Sequence, residues 1–150
     1  MPRYTKQRDK SRCGPIAILN ALRWAGIQAP YCLAKTEISK VCLWHRDQGT
    51  KWHLFDKALR KFGKEHFKVN KKLRPKLSEI RKHLSKGEAL VLNYEGYHEG
   101  KRYRHYVLFV GGEGIYQMVN GIEGAGLSAS TKLSDKLIKK YHLRFQRTGR

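Results

Sequence analysis

The tripeptide Cys13-Gly14-Pro15 constrains this chain more than any other feature, because it sets a thiol directly ahead of a Gly-Pro pair that reads as a helix start. Proline suits the first helical turn, where its missing N–H would have had no partner. The run from Ile16 to Ala25 continues with strong helix formers, and Gly26 supplies a stop. A cysteine in that place meets the positive end of the helix dipole, which favours the thiolate. This is the local chemistry of a cysteine nucleophile, and it calls for a base and an orienting group elsewhere in the chain.

His105 stands near the beginning of an aromatic and β-branched run, Tyr103 to Val110, closed by Gly111 and Gly112. That composition predicts a strand. A second strand-like run, Ile115 to Val119, ends at Asn120, and Gly111-Gly112-Glu113-Gly114 between the two reads as a hairpin turn rather than a phosphate loop. A hairpin brings the start of one strand beside the end of the next, so His105 and Asn120 are expected to face each other. The amide oxygen would then hold the imidazole in its working tautomer. His98, in the loop-like Tyr97-His98-Glu99-Gly100, competes for the role of base, but a rigid strand supports catalysis better.

With Gln7 six positions before the cysteine, the order Gln7, Cys13-Gly14-Pro15, His105, Asn120 resembles the papain-like cysteine peptidases. The closest likeness is to their compact branch, the double-glycine leader peptidases fused to bacteriocin exporters, where the histidine similarly opens a strand reading His-Tyr-Val. The resemblance spans most of the chain. It implies an α+β papain-like fold, with the nucleophile helix packed on an antiparallel sheet, and it gives each residue a role. Cys13 would be the nucleophile, His105 the general base and acid, Asn120 the orienting residue and Gln7 an oxyanion donor. The leader-peptidase branch usually has aspartate, often followed by proline, where this chain has Asn120-Gly121, the papain choice. Its exporter-fused members also continue into membrane and nucleotide-binding domains, so a leader-peptide substrate does not follow for a chain of 150 residues.

Each residue has a plainer reading. Cys13 would serve as a small apolar core residue, His105 as a packed strand histidine, Asn120-Gly121 as a turn dipeptide, and Gln7 as an ordinary glutamine in a basic arm.

A chain of this length with 40% hydrophobic residues can bury one core, and no linker, repeat or low-complexity stretch divides it, so residues 1–150 are expected to form a single domain. No apolar run is long enough to span a bilayer. The polar, basic start shows no secretion signal, which predicts residence in the cytoplasm, or in host cytoplasm or a virion if the source is viral. Three cysteines are an odd count that fits a reducing setting. Cys32, Cys42, His45 and His53 lack the short paired spacing of structural zinc sites, so no metal or cofactor is expected.

The formal net charge is +20 and is unevenly spread. Residues 1–12 carry five Lys/Arg against one acid, residues 56–86 twelve against three, and residues 132–150 seven against one. Residues 87–131, which hold His105 and Asn120, carry three against five. Such a field attracts polyanions by counterion release without reading sequence, so non-specific nucleic-acid association is expected beside a protein or peptide substrate. In a phage or viral setting the genome would recruit the enzyme.

The other elements are read from periodicity. Helices are expected over 33–44 and 51–62, the latter with Trp52, Phe55, Leu59 and Phe62 on one face and Gly63 ending it. A short strand is expected at 66–69, a helix through Leu77, Ile80 and Leu84 stopped by Gly87, and a buried strand from Ala89 to Tyr94. Helices first and strands later is an α+β order. The function these readings favour is a thiol hydrolase, most simply a cysteine peptidase cleaving a peptide or isopeptide bond, potentially after Gly-Gly. The alternatives are an inactive papain-like protein that binds nucleic acid and a deamidase or amidase toxin.

Overall fold

A helix can be buried on every side only if its sequence is apolar all round and its polar groups find partners within the protein. Helix α1 (Cys13–Trp24) meets both conditions: Gly14 through Leu22 are buried, and the one polar side chain among them, Asn20, is doubly paired. Asn20 Nδ2 donates to the Thr5 carbonyl at 2.9 Å and Oδ1 accepts from the Thr5 N–H at 3.0 Å. The helix ends in a Schellman turn, with Gly26 at φ +92° and the Ile27 N–H bonded to the Leu22 carbonyl at 3.0 Å.

The computed structural model describes residues 4, 5, 8, 11–46, 49–73, 77–98, 101–112, 115–119, 122, 123, 126, 127, 130–132 and 144–149. Beyond Val69, side chains are described at 78, 79, 82, 83, 85–91, 106 and 108–110.

After α1 comes a continuous helical run made of α2 (Tyr31–Leu33), a π turn (Ala34–Ile38) and α3 (Ser39–Val41). The wider turn is accompanied by the Ser39 hydroxyl, which donates to the Ala34 carbonyl at 2.6 Å. Helix α4 (Trp52–Gly63) buries Phe55, Ala58 and Leu59 and leaves its lysines outside, as its spacing predicts. Its last residue is glycine for a packing reason rather than a left-handed stop. A Cβ on Gly63 would lie 2.3 Å from Cε2 of Phe67, whose ring covers that position. Helix α5 (Leu77–Ser85) completes the helical set among the described residues.

The strands are β1 (Asn70–Leu73), β2 (Leu90–His98), β3 (Lys101–Gly112), β4 (Ile115–Val119), β5 (Ile122–Glu123), β6 (Gly126–Leu127), β7 (Ser130–Lys132) and β8 (Arg144–Gly149). Six of them form one sheet in the order β1-β8-β2-β3-β4-β7 with every pair antiparallel, while β5 and β6 pair separately. The expected strand at 66–69 is displaced to Asn70–Leu73. The N–H groups of His66 and Phe67 both turn back to the Gly63 carbonyl, so the chain is still leaving α4 where a strand was read.

Helix α1 lies on β3, with α4 and the π turn against its other sides. Tyr106, Leu108 and Val110 on β3, with Ala89 and Val91 beside β2's start, join the cluster built around α1 and α4. Leu90 and Phe109, partners in the β2–β3 register, are of the opposite alternation and are also fully buried, so both faces of the sheet are covered there. Among the described residues no helix is long and apolar enough to cross a membrane.

The Gly63–Phe67 contact gives a sign that helix propensity alone does not. Gly63→Ala should lower stability in urea unfolding although alanine is worth about 1 kcal/mol over glycine within a helix. In a Phe67→Ala background the same change should become stabilising, because the ring atoms that lie nearest the new methyl are then gone. A Gly63→Ala protein more stable than the parent would refute this account of the helix end.

Candidate functional site

The first hydrogen bond of α1 runs from the Ile16 N–H to the Arg12 carbonyl at 3.0 Å. Helix geometry therefore gives the N–H groups of Cys13 and Gly14 no intrahelical acceptor, and Pro15 has none to offer. No acidic residue sits in this first turn, and the Arg12 side chain does not cap it. Cys13 is half-buried, packed at the edge of the core rather than within it. An anion at its sulfur would face the positive end of the helix dipole.

The surroundings are built from distant segments. The Arg12 guanidinium lies 3.7 Å from the centroid of the Trp44 ring, and its Nε donates to Ser39 Oγ at 3.2 Å. Trp44 Nε1 in turn donates to the Ser11 carbonyl at 3.0 Å, which fixes the residue before Arg12. On the other side, a Cβ added to Gly14 would meet Thr50 Oγ1 at 3.0 Å and Phe55 Cδ2 at 3.5 Å, so residue 14 must be small for α1 to seat. Thr50 is held by Tyr106, whose hydroxyl donates to the Thr50 carbonyl at 2.8 Å. Tyr106 stacks on Phe55 with centroids 4.3 Å apart and lies nearly parallel to Trp52 at 5.9 Å.

These contacts place the start of α1 and the Tyr106 part of β3 at the same end of the molecule, since Gly14 and Tyr106 both meet Thr50 and Phe55. His105 is the residue before Tyr106 on β3 and pairs with Tyr94 on β2. Its side chain is outside the description. In the strand's alternation, Tyr106, Leu108 and Val110 occupy the positions under α1, and His105 belongs to the other set. The β3–β4 register pairs Leu108 with Val119, so His105 lies three positions before the last paired residue of that hairpin. Asn120 follows directly on β4 and lies outside the described residues. His98 ends β2 opposite Lys101.

Gln7 also lies outside the described residues, but the arm that carries it is held on both sides. Thr5 is bound to Asn20, and Arg8 is bound to Tyr31, whose hydroxyl accepts from the Arg8 N–H at 3.1 Å while its ring lies 4.0 Å beneath the guanidinium. Thr5 is therefore tied to α1 and Arg8 to α2.

The three thiols have different settings: Cys13 is half-buried, Cys32 is exposed, and Cys42 is fully buried at the C-cap of α3. Burial pushes the Cys42 thiol up to about 12, against a smaller opposing effect of the neighbouring Thr50 hydroxyl. Burial likewise pushes the Tyr4 phenol up to about 12. No group of three or more His, Cys, Asp or Glu among the described residues is arranged to hold a metal ion.

Arg12, Ser39, Trp44, Thr50 and Tyr106 form the setting of Cys13, and none was singled out from the sequence as part of it. For Trp44 and Tyr106 the one advance signal was the aromatic content of 11%, which does not say where the rings meet, and Arg12, Ser39 and Thr50 had none. No protein-family model matches the chain, and no curated protein or solved structure matches it.

Buried Cys42 and half-buried Tyr4 set a direction for stability against pH. Above the ordinary thiol value of 9.0 the unfolded chain loses the Cys42 proton while the folded chain keeps it to about 12. Tyr4 does the same from 10.0 to about 12. The folded state then binds more protons than the unfolded one, so stability falls as pH rises through that window and is untouched by these groups below it. Urea midpoints taken at about pH 8 and about pH 10.5 should fall, and Cys42→Ala should flatten the fall. An unchanged slope in that variant would show that the thiol is not held protonated.

Proposed function

We propose that this protein is a thiol hydrolase of papain-like type, a cysteine peptidase in which Cys13 is the nucleophile. The observation that carries the reading is Cys13 in the first turn of a buried helix lying on β3, with its sulfur-bearing residue at the core's edge. In the reaction His105 takes the thiol proton, and the thiolate attacks an amide carbonyl to form a tetrahedral oxyanion. The Cys13 N–H and the Gln7 side chain donate to that oxygen, and Asn120 holds the imidazole. The imidazolium then protonates the leaving amine, and water, deprotonated by the same imidazole, releases the acyl group as a carboxylate. Cleavage of a peptide or isopeptide bond, including one after Gly-Gly, fits this chemistry. Deamidation uses the same steps with ammonia leaving.

The assignment of His105 requires the imidazole to reach Cys13 from the alternation opposite to Tyr106. What supports His105 is its place in the sequence, near the start of a strand reading His-Tyr-Val, while the alternation of β3 sets it apart from the Tyr106, Leu108 and Val110 positions that pack with α1.

A second reading rests on charge. The formal net charge is +20, and α4 with the turn after it displays Lys57, Arg60, Lys61 and Lys64 as exposed cations, with Asp56 bound to Arg60 at 3.0 Å. That face suits non-specific nucleic-acid binding, either as recruitment of the enzyme in a phage or viral particle or as the whole function of an inactive relative.

The deciding measurement is alkylation by iodoacetamide across pH, read site by site by mass spectrometry, in the parent and in His105→Ala. We expect Cys13 to react much faster than exposed Cys32 near about pH 6, Cys42 to stay unreactive, and His105→Ala to remove the preference. His98→Ala should leave it intact. If Cys13 reacts as an ordinary thiol of pKa about 8.5 in both proteins, the catalytic reading fails and the basic surface becomes the guide to function.

A further inference from the structure

The helical run that carries the π turn ends in a Schellman turn: the Trp44 N–H bonds the Ser39 carbonyl at 2.9 Å and the Leu43 N–H bonds the Lys40 carbonyl at 3.1 Å. The residue at the left-handed position of this motif is ordinarily glycine. The chain obeys that preference at two other helix ends, with Gly26 at φ +92° after α1 and Gly87 at φ +79° after α5, where the Glu88 N–H reaches the His83 carbonyl at 3.2 Å. At the third such end stands Leu43, at φ +48°. A leucine in this conformation is strained, and burial does not compensate, since it is 69% exposed. A strained and solvated leucine, where glycine would be both unstrained and more soluble, points to a use for the side chain outside the fold.

Leu43 forms one lip of an open groove of about 570 Å³ between this helical run and α4. Half-buried Leu54 and Phe62 contribute apolar surface to it, and Lys40, Lys57 and Lys61 stand exposed around it. Glu37 is the single acid among its lining residues. Leu54, Lys57 and Lys61 follow one face of α4 at helical spacing, so apolar contact and positive charge are offered along the same line. An occupant must therefore present apolar side chains inward and negative charge at its margins. Nucleic acid supplies the charge but stacks its bases on aromatic platforms, and Phe62 is the only ring in the lining. An amphipathic helix with aliphatic anchors and flanking carboxylates meets both demands.

We propose that the groove between the Tyr31–Val41 helical run and α4 docks an acidic amphipathic helical segment of a partner protein, with Leu43 as a contact retained at a cost to stability. The inference uses none of the residues assigned to thiol chemistry and stands apart from that reading.

The test is fluorescence anisotropy with a panel of labelled synthetic peptides carrying leucines at three- and four-residue spacing flanked by glutamates, beside scrambled isomers and a thymidine oligonucleotide. The amphipathic peptides should bind saturably and the isomers much more weakly. Leu43→Gly should weaken peptide binding by about tenfold or more while raising the melting temperature, a combination that damage to the fold cannot produce. Lys57→Glu with Lys61→Glu should weaken it further. The proposal is overturned if no peptide of the panel binds saturably, if Leu43→Gly stabilises the protein without changing affinity, or if these variants impair oligonucleotide binding alone, which would give the groove to nucleic acid.

Discussion

Burying α1 on all sides is the constraint on which the rest of the structure depends. A helix with no solvent face cannot leave a polar side chain or a bulky substituent unmatched, and the neighbours of α1 are fitted to that demand. Asn20 is matched by the backbone of Thr5, which brings the N-terminal arm along the helix. Gly14 is matched by the side chain of Thr50, whose carbonyl is matched by the Tyr106 hydroxyl, which ties β3 to the loop ahead of α4. The stack of Trp52, Phe55 and Tyr106 then fills the space between α4 and the sheet. Because each link begins at α1, the position of its first turn is determined by contacts on several segments at once, which is what a reactive group needs for fixed placement.

What the sequence disclosed follows from which interactions leave a local trace. Helix α4 was legible because Trp52, Phe55, Leu59 and Phe62 repeat at helical spacing, and the strand through Tyr106, Leu108 and Val110 because aromatic and β-branched residues alternate or run together. The π turn left no trace, since it is a change in hydrogen-bond register that Ser39 supports from within an ordinary helical pattern. Gly63 was read as a stop for the wrong reason: its place depends on Phe67, a contact made only after the chain has turned. The ring and hydroxyl groups around Cys13 come from positions at least 26 residues away, so no spacing rule around the cysteine could have named them. Gln7 was named through the resemblance and Asn120 through the hairpin reading together with it, and both lie outside the described residues.

The π turn links two features that would otherwise be separate. It precedes Ser39, which is buried and accepts from Arg12 at the start of α1, while the same run goes on four residues later to the left-handed Leu43. Trp44, next in sequence, packs under Arg12 and holds the Ser11 carbonyl. One face of the Leu43-Trp44 pair is therefore committed to the setting of Cys13 and the other to the groove beside α4. Replacing Leu43 by glycine relieves the left-handed strain, which outweighs the added freedom of the unfolded chain, and keeps the Schellman bonds, which is why contact and framework are separable there.

The contrast between the thiols shows how helix position and burial together sort cysteines by chemistry. Cys42 caps the end of α3, where the carbonyl end of the dipole opposes a negative sulfur, and its full burial opposes ionisation again. Cys13 opens α1, where the dipole has the other sign, the first turn holds no acidic residue, and the residue is half-open to solvent. The large positive charge of the chain acts in the same direction on any anion at that point. The two sulfurs thus lie at opposite helix ends of one small core, one fully buried and the other half-open to solvent.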